Sequence, residues 1–280
     1  MRVAVTGGRG QLGRQVCRAF AAAGYQVLEP LLDRPAHDIA ALAIADTIAS
    51  LRPDLVVHCA AMTDVDGCAR DPDAALRVNA LGTRNVALGA RRAGAALVAI
   101  STNEVFAGTA GAPYDEWSPV DPINPYGRSK AIGEAFVRQL VPESYVVRTA
   151  WLFGPGGNNF VTKMLARAKA GPLRIVADEV GSPTYAPDLA EALVALVRTG
   201  AYGTYHLVND GVASRLEFAE AIFQLAGVEA EVTPTTLAQW SRASRVPPCT
   251  PLRNVAGAAL GIRLRPWRDA LAAYLSVEAA

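Results

Sequence analysis

The opening stretch "MRVAVTGGRGQLG" narrows the choice of folds more than any other part of the chain. An apolar run, "VAVT" (3–6), leads through glycines into "QLGRQVCRAFAAAG" (11–24), whose spacing predicts a helix stopped by Gly24. Gly7, Gly10 and Gly13 fall at G-x-x-G-x-x-G spacing between that strand and helix. Gly7 can take φ > 0 in the turn. Gly10 lets the backbone approach a pyrophosphate, whose charge the helix N-terminus favours. Gly13 allows close helix–strand packing. A glycine triplet alone says little; at the first βα junction of an alternating chain it points to a dinucleotide.

The alternation continues. "YQVLE" (25–29), "DLVVHCA" (54–60), "AALVAIST" (95–102) and "SYVVRTAW" (144–151) read as strands. Helical patterns lie between them at 40–51 and 71–94 and around 126–130. Continuous apolar strands in strict βα alternation predict an α/β fold with a doubly wound parallel sheet. After about residue 152 the rhythm loosens: helix 158–170, strand 173–176, helix 187–199, strand 205–209, helix 215–226, then Pro-rich and Arg-rich loops. "RVPPCTPLRN" (245–254) excludes regular structure. A length of 280 residues suits one large domain with a smaller appendage. The expected division is 1–151 for the dinucleotide domain and 152–280 for a smaller lobe interleaved with it.

A net charge of +1 argues for neither nucleic acid nor a membrane surface as partner. The start lacks a secretory pattern, and no apolar run reaches the roughly 18 residues that span a bilayer. A cytoplasmic location is expected. Cys17, Cys59, Cys68 and Cys249 form no Cys-x-x-Cys pair, and His37, His58 and His206 are scattered. Free thiols and core histidines are expected, with no metal ligand set identified. His58, ending its apolar run, reads as a half-buried strand residue.

"NPYGRSKAIGE" (124–134) places Tyr126 and Lys130 one helical turn apart on one face. A free phenol titrates near 10, and bringing it to about 7–8 takes roughly 3–4 kcal/mol. A cation ~4 Å away at an effective dielectric of ~20 supplies about 4 kcal/mol. At the end of the 95–102 strand, the hydroxyl of Ser101 or Thr102 can share a substrate carbonyl with Tyr126.

The glycine loop and the Tyr-x-x-x-Lys pair together resemble the extended short-chain dehydrogenase/reductase superfamily. "LRPDLVVHCAAMTDVDGCARDP", "ISTNEVFAG", "YGRSKAIGE", "RTAWLFGPGGNNF" and "DEVGSPTYAPDLA", in that order, resemble its dTDP-4-dehydrorhamnose reductase family. The likeness runs to about residue 210 and thins beyond it. It implies a Rossmann-type fold, a nicotinamide cofactor and a nucleotide-sugar substrate, and it allows a homodimer. It implies a catalytic triad of Thr102, Tyr126 and Lys130, with Lys130 lowering the Tyr126 pKa and holding the nicotinamide ribose. Gly7, Gly10, Gln11 and Leu12 would cradle the pyrophosphate, and Asp38 and Ile39 would flank the adenine. Ala60, Ala61 and Thr63 would line the cofactor path, with Asn79 behind. Trp151 would sit beside the sugar, Asn159 and Phe160 would meet the nucleotide, and Arg245 would hold the diphosphate.

One departure stands out. Where the family has Asp-Tyr after Ser-Thr, this chain has Asn103-Glu104 at a substrate-contacting position. Asn103 cannot give up a proton, so reduction of a 4-keto group is expected rather than dehydration. The sugar itself is left open. Glu29 could hold a ribose diol, whereas Arg9 and Arg34 could meet a 2′-phosphate; NADPH is expected, with NADH as the alternative. An epimerase with tightly held cofactor and a non-catalytic NADP-binding subunit are the competing readings.

Overall fold

The computed structural model describes residues 1–28, 32–33 and 35–278. Among them, six parallel strands form the main sheet: β1 (Arg2–Thr6), β2 (Gln26–Val27), β3 (Leu55–His58), β4 (Ala96–Thr102), β5 (Ser144–Thr149) and a late strand, Gly203–His206. Their spatial order is late strand, β5, β4, β3, β1, β2. The order reverses direction beside β1, so the crevice at the carboxyl ends of β1, β3 and β4 is where a ligand fits. Residues alternate across the pleat. Val3 and Val5 pack with Leu12, Val16 and Phe20 of α1 (Gln11–Ala22). Ala4 and Val56 face the other way, onto Ile44 and Ile48 of α2 (Ala43–Leu51).

The expected helix over 71–94 is three pieces. After a short α3 (Val65–Arg70), α4 (Pro72–Ala75) widens into a π segment, Leu76–Leu81, and narrows again into α5 (Gly82–Ala93). Thr83 Oγ1 donates to the Asn79 carbonyl (2.6 Å), and the wide turn aims the Asn79 amide at Met62. α6 (Pro125–Leu140) starts at an Asn124 cap that accepts from Gly127 N at 2.8 Å. Strand β5 stops two residues short of expectation because Trp151 turns the chain at φ 44°, a left-handed conformation costly for a bulky residue.

The remaining strands are short: β6 (Leu152–Phe153), β7 (Leu173–Val176), β8 (Val180–Gly181), β9 (Thr184–Tyr185), then β10 (the late sheet strand), β11 (Ala213–Ser214) and β12 (Val232–Thr235). They pair as β6–β9, β7–β12 and β8–β11 beside α7 (Phe160–Ala168) and α9 (Arg215–Ala226). α8 (Ala186–Thr199) instead returns to the main sheet, packing Leu189 and Leu193 against α1 residues. After a short α10 (Ala256–Ala259), the chain ends in α11 (Trp267–Glu278), where only loops were expected. Trp267, Leu271 and Tyr274 of α11 bury into a cluster with Phe153, Phe218 and Ile222. Residues 245–254 form neither helix nor strand, as their prolines require.

Candidate active site

A cleft of about 1020 Å³ opens at the carboxyl edge of β1, β3 and β4. Its floor is the glycine loop. Gly7 has φ 69°, and a Cβ there would lie 2.7 Å from Ala60 N. A Cβ on Gly13 would collide with the Gly7 carbonyl, which is the close helix–strand packing expected of it. The first turn of α1 has no side-chain cap on its N–H groups. Beside it, Gln11 Nε2 is buried with no protein acceptor, held under the 154–158 loop where Gly157 packs on the Gln11 side chain. A buried unpaired amide donor and uncapped helix N–H groups suit a pyrophosphate. The loop therefore fits a dinucleotide.

Gly10, Leu12, Asp38, Ile39, Ala60, Ala61 and Thr63 line the same cleft. Asp38 Oδ1 accepts from Ala40 N (3.0 Å) and the Ile39 carbonyl accepts from Asn85 (3.1 Å), which fixes that wall. Asn79 lies behind it: its side chain accepts from Met62 N (2.8 Å) and donates to Met62 O (3.0 Å) and Ser129 Oγ (3.1 Å). Glu29 and Arg34 lie outside the described residues. Asp33, which the sequence reading passed over, lines the cleft and accepts from Arg9 N at 3.1 Å.

At the other end stand Thr102, Tyr126 and Lys130. Thr102 ends β4, and its Oγ1 accepts from Glu104 N (3.2 Å) and bonds the Tyr126 phenol. Lys130 Nζ donates to the Ile100 carbonyl at 2.7 Å. The electrostatics differ from expectation. Burial first, and the Glu104 carboxylate second, push the phenol above its ordinary value, with the Thr102 bond opposing them. Lys130 Nζ uses one N–H on the Ile100 carbonyl, and burial lowers its own pKa to about 8 despite the nearby Glu134 carboxylate. The raised value keeps the Tyr126 phenol neutral in this cleft.

Glu104 lines the cleft, and burial raises its pKa to about 7. Its Oε2 accepts from Asn124 Nδ2 at 2.6 Å. Asn103 donates to Thr250 Oγ1 (2.6 Å) and accepts from Thr102 (3.3 Å), so its amide braces the triad from behind. Trp151 lines the cleft, its ring against Gly181 and under the Arg215 guanidinium, 3.5 Å from the ring centre. Arg215 is itself paired with Glu179 at 2.8 Å.

Two expected contacts fall elsewhere, and a third borders the cleft with its side chain occupied. Phe160 stacks on Phe218 in the apolar cluster of the lobe (5.5 Å between ring centres) rather than lining the cleft. Arg245 is exposed and outside the lining; its carbonyl accepts from Asn124 (3.0 Å). Asn159 borders the cleft, but its amide is occupied capping α7 at Val161 N and Thr162 N and bonding the Gly154 carbonyl. Arg215, Asn124 and Thr149 were missed. Thr149 Oγ1 is buried without a partner, level with Thr102 across β4 and β5. "Asn-Pro" before a helix is a cap signal that could have found Asn124; nothing local marks the other two.

His58 is wholly buried rather than half-buried. It bonds Thr6 Oγ1 (2.7 Å) and Thr83 Oγ1 (3.0 Å), and burial lowers its pKa to about 3. Cys17, Cys59, Cys68 and Cys249 are thiols outside any disulfide. Among the described residues no helix is long and apolar enough to cross a membrane.

The family model described as "RmlD substrate binding domain" matches residues 1–279. The chain is 40% identical to the spore coat polysaccharide biosynthesis protein SpsK of Bacillus subtilis, covering 98% of this chain and 96% of that one. It is 38% identical to the dTDP-4-dehydrorhamnose reductase of Streptomyces griseus, covering 95% and 90% respectively. The crystal structure of the Bacillus anthracis dTDP-4-dehydrorhamnose reductase in complex with NADP superposes with a TM-score of 0.94 at 36% identity, over 99% of each chain. With its Rossmann-type sheet and its cleft, the chain belongs to the RmlD family, that of the dTDP-4-dehydrorhamnose reductases.

Proposed function

We propose that this chain is a nucleotide-sugar 4-ketoreductase that reduces dTDP-4-dehydro-L-rhamnose to dTDP-L-rhamnose with NADPH, Tyr126 serving as general acid. The observation that carries the reading is the convergence of the glycine loop, Thr102, Tyr126 and Lys130 on one cleft. A reduced nicotinamide, when bound, supplies the hydride. Gln11 and the first turn of α1 hold the pyrophosphate. Thr102 and Tyr126 take the ketone oxygen between their hydroxyls, and the Tyr126 proton moves to that oxygen as charge builds on it. Lys130, anchored on Ile100, orients the ribose. Residues 1–151 bind the cofactor, and Trp151 at their end joins Arg215 of 152–280 in the sugar wall.

A second reading keeps the reaction and changes the sugar. Glu104 puts a carboxyl where the family resemblance leads one to expect a phenol, and the relative SpsK is named for a spore coat polysaccharide. A screen of nucleotide-linked 4-keto sugars with NADPH and NADH tests both. Fast NADPH oxidation with dTDP-4-dehydro-L-rhamnose supports the first reading. A strong preference for another 4-keto sugar supports the second, and turnover of none defeats both.

A further inference from the structure

Each reduction leaves Tyr126 without its proton, and the surroundings make a phenolate costly there. Burial and the Glu104 charge both disfavour it. A proton must return before the next turnover. Three carboxylates line the cleft among the described residues: Asp33, Asp38 and Glu104. Asp33 and Asp38 are bonded to backbone N–H groups of the cofactor wall. Glu104 stands at the Tyr126 end.

Its placement there is built in. Gly127, the residue after Tyr126, packs so closely on the Glu104 carbonyl that a Cβ would collide with it. Asn124 uses Oδ1 to cap the helix that carries Tyr126 (2.8 Å) and Nδ2 to hold the Glu104 carboxyl (2.6 Å). Thr102 Oγ1 links the Glu104 main chain (3.2 Å) to the Tyr126 phenol. One short network therefore fixes acid, hydroxyl and carboxyl together.

Resting on the reductase reading above, we propose that Glu104 reloads Tyr126: after each reduction its carboxylic acid returns a proton to the phenolate. The carboxyl O–H bond breaks, the phenol O–H bond forms, and one negative charge moves from phenolate to carboxylate. The carboxylate then takes a proton from solvent. No electrons move in this step, and over the whole cycle ketone, reduced cofactor and one proton become alcohol and oxidised cofactor. The two groups share a cleft and repel as anions, so the pair carries one negative charge at a time. A carboxyl that holds its proton to about pH 7 is loaded when needed. Burial sets that value, reinforced by Glu179 and opposed by Asn124, Arg242 and Arg215; Cys68 on α3 also faces the group.

Stopped-flow oxidation of NADPH by the full chain with its 4-keto nucleotide sugar separates the first turnover from the rest. Glu104→Gln keeps an acceptor for Asn124 and loses the acid. It is expected to show a burst of one equivalent, with a steady state roughly ten- to a hundredfold slower than its own first turnover. In the wild type kcat is expected to fall above about pH 7, and in this variant that fall is expected to be absent. Glu104→Asp retains the acid and most of the steady-state rate, and acetate restores turnover to Glu104→Ala. An unchanged steady state without a burst overturns the proposal. So does a first turnover slowed in parallel, which makes Glu104 a substrate contact instead. A wild-type protein that oxidises no NADPH with any 4-keto sugar defeats the reductase reading itself, a separate result.

Discussion

Tyr126 illustrates how far a side chain's surroundings can depart from its motif. The Tyr-x-x-x-Lys spacing correctly puts both residues in one cleft, yet the proton affinity of the phenol is governed by burial and by Glu104, which lies 22 positions upstream. That could not be read from spacing, because Glu104 reaches Tyr126 only through the packing of β4's end on α6. For a reductase the outcome is favourable: an acid must hold its proton until charge develops on the ketone oxygen. Trp151 offers a second residue-scale test. Its left-handed turn presses the indole on Gly181, where an added Cβ would lie 2.6 Å from the ring. Gly181→Ala is expected to displace the indole and lower kcat/KM by about 10–100-fold, with kcat and KM measured separately.

Among the elements, α6 carries most of the site and is tied to the sheet by a buried ion pair. Glu134 accepts from Arg148 Nε (2.9 Å) and Nη2 (2.8 Å) and from Ser101 Oγ (2.6 Å), fixing the helix to β5 and to the end of β4. Glu134 also sits one turn after Lys130 and raises its proton affinity against burial. Glu134→Gln leaves a buried guanidinium unpaired, at a cost of about 3–5 kcal/mol measurable as a lower denaturation midpoint. The same change moves Lys130 below about 8, so the alkaline limb of kcat/KM is expected to shift to lower pH. The helix around Tyr126 and Lys130 was legible from local pattern, and the missed Asn124 cap had a local signal in Asn-Pro. The π segment was not: 71–94 has unbroken helical periodicity, and the wide turn follows from Asn79 reaching Met62 and α6, a tertiary demand. The last helix was missed for a related reason. Its residues bury against Phe153 and Phe218, distant in sequence, rather than forming a clear local stripe.

For the whole molecule, the buried titratable groups set the response to acid. His58 and His206 are held neutral by burial, with pKa values lowered to about 3 and about 4. Below about pH 6.5 the unfolded chain binds two protons there that the folded chain refuses, so their contribution is lost as pH falls. Glu104 acts oppositely. The folded chain protonates it near 7, before the unfolded chain does, which offsets one proton down to about pH 4.5. The net of one proton predicts a stability loss of roughly 1.4 kcal/mol per pH unit between pH 6 and 4.5. Glu104→Gln should steepen that to about two protons; chemical denaturation at a series of pH values reads the slope. The parallel sheet and the glycine loop were legible because period and turn chemistry are local. The wall formed by Trp151, Arg215 and Glu179 was not, since it joins three segments that only the folded lobe brings together.

The central claim is that the Tyr126 phenol donates the proton when a nicotinamide reduces the 4-keto sugar. Its most direct test compares wild type and Tyr126→Phe with NADPH deuterated at the transferring position, following both the oxidation rate and the label in the product. The account predicts deuterium at C4 of the sugar in the wild type and a loss of about 10²- to 10⁴-fold in kcat for the variant. Equal rates in the two proteins, or product without label at C4, would contradict it.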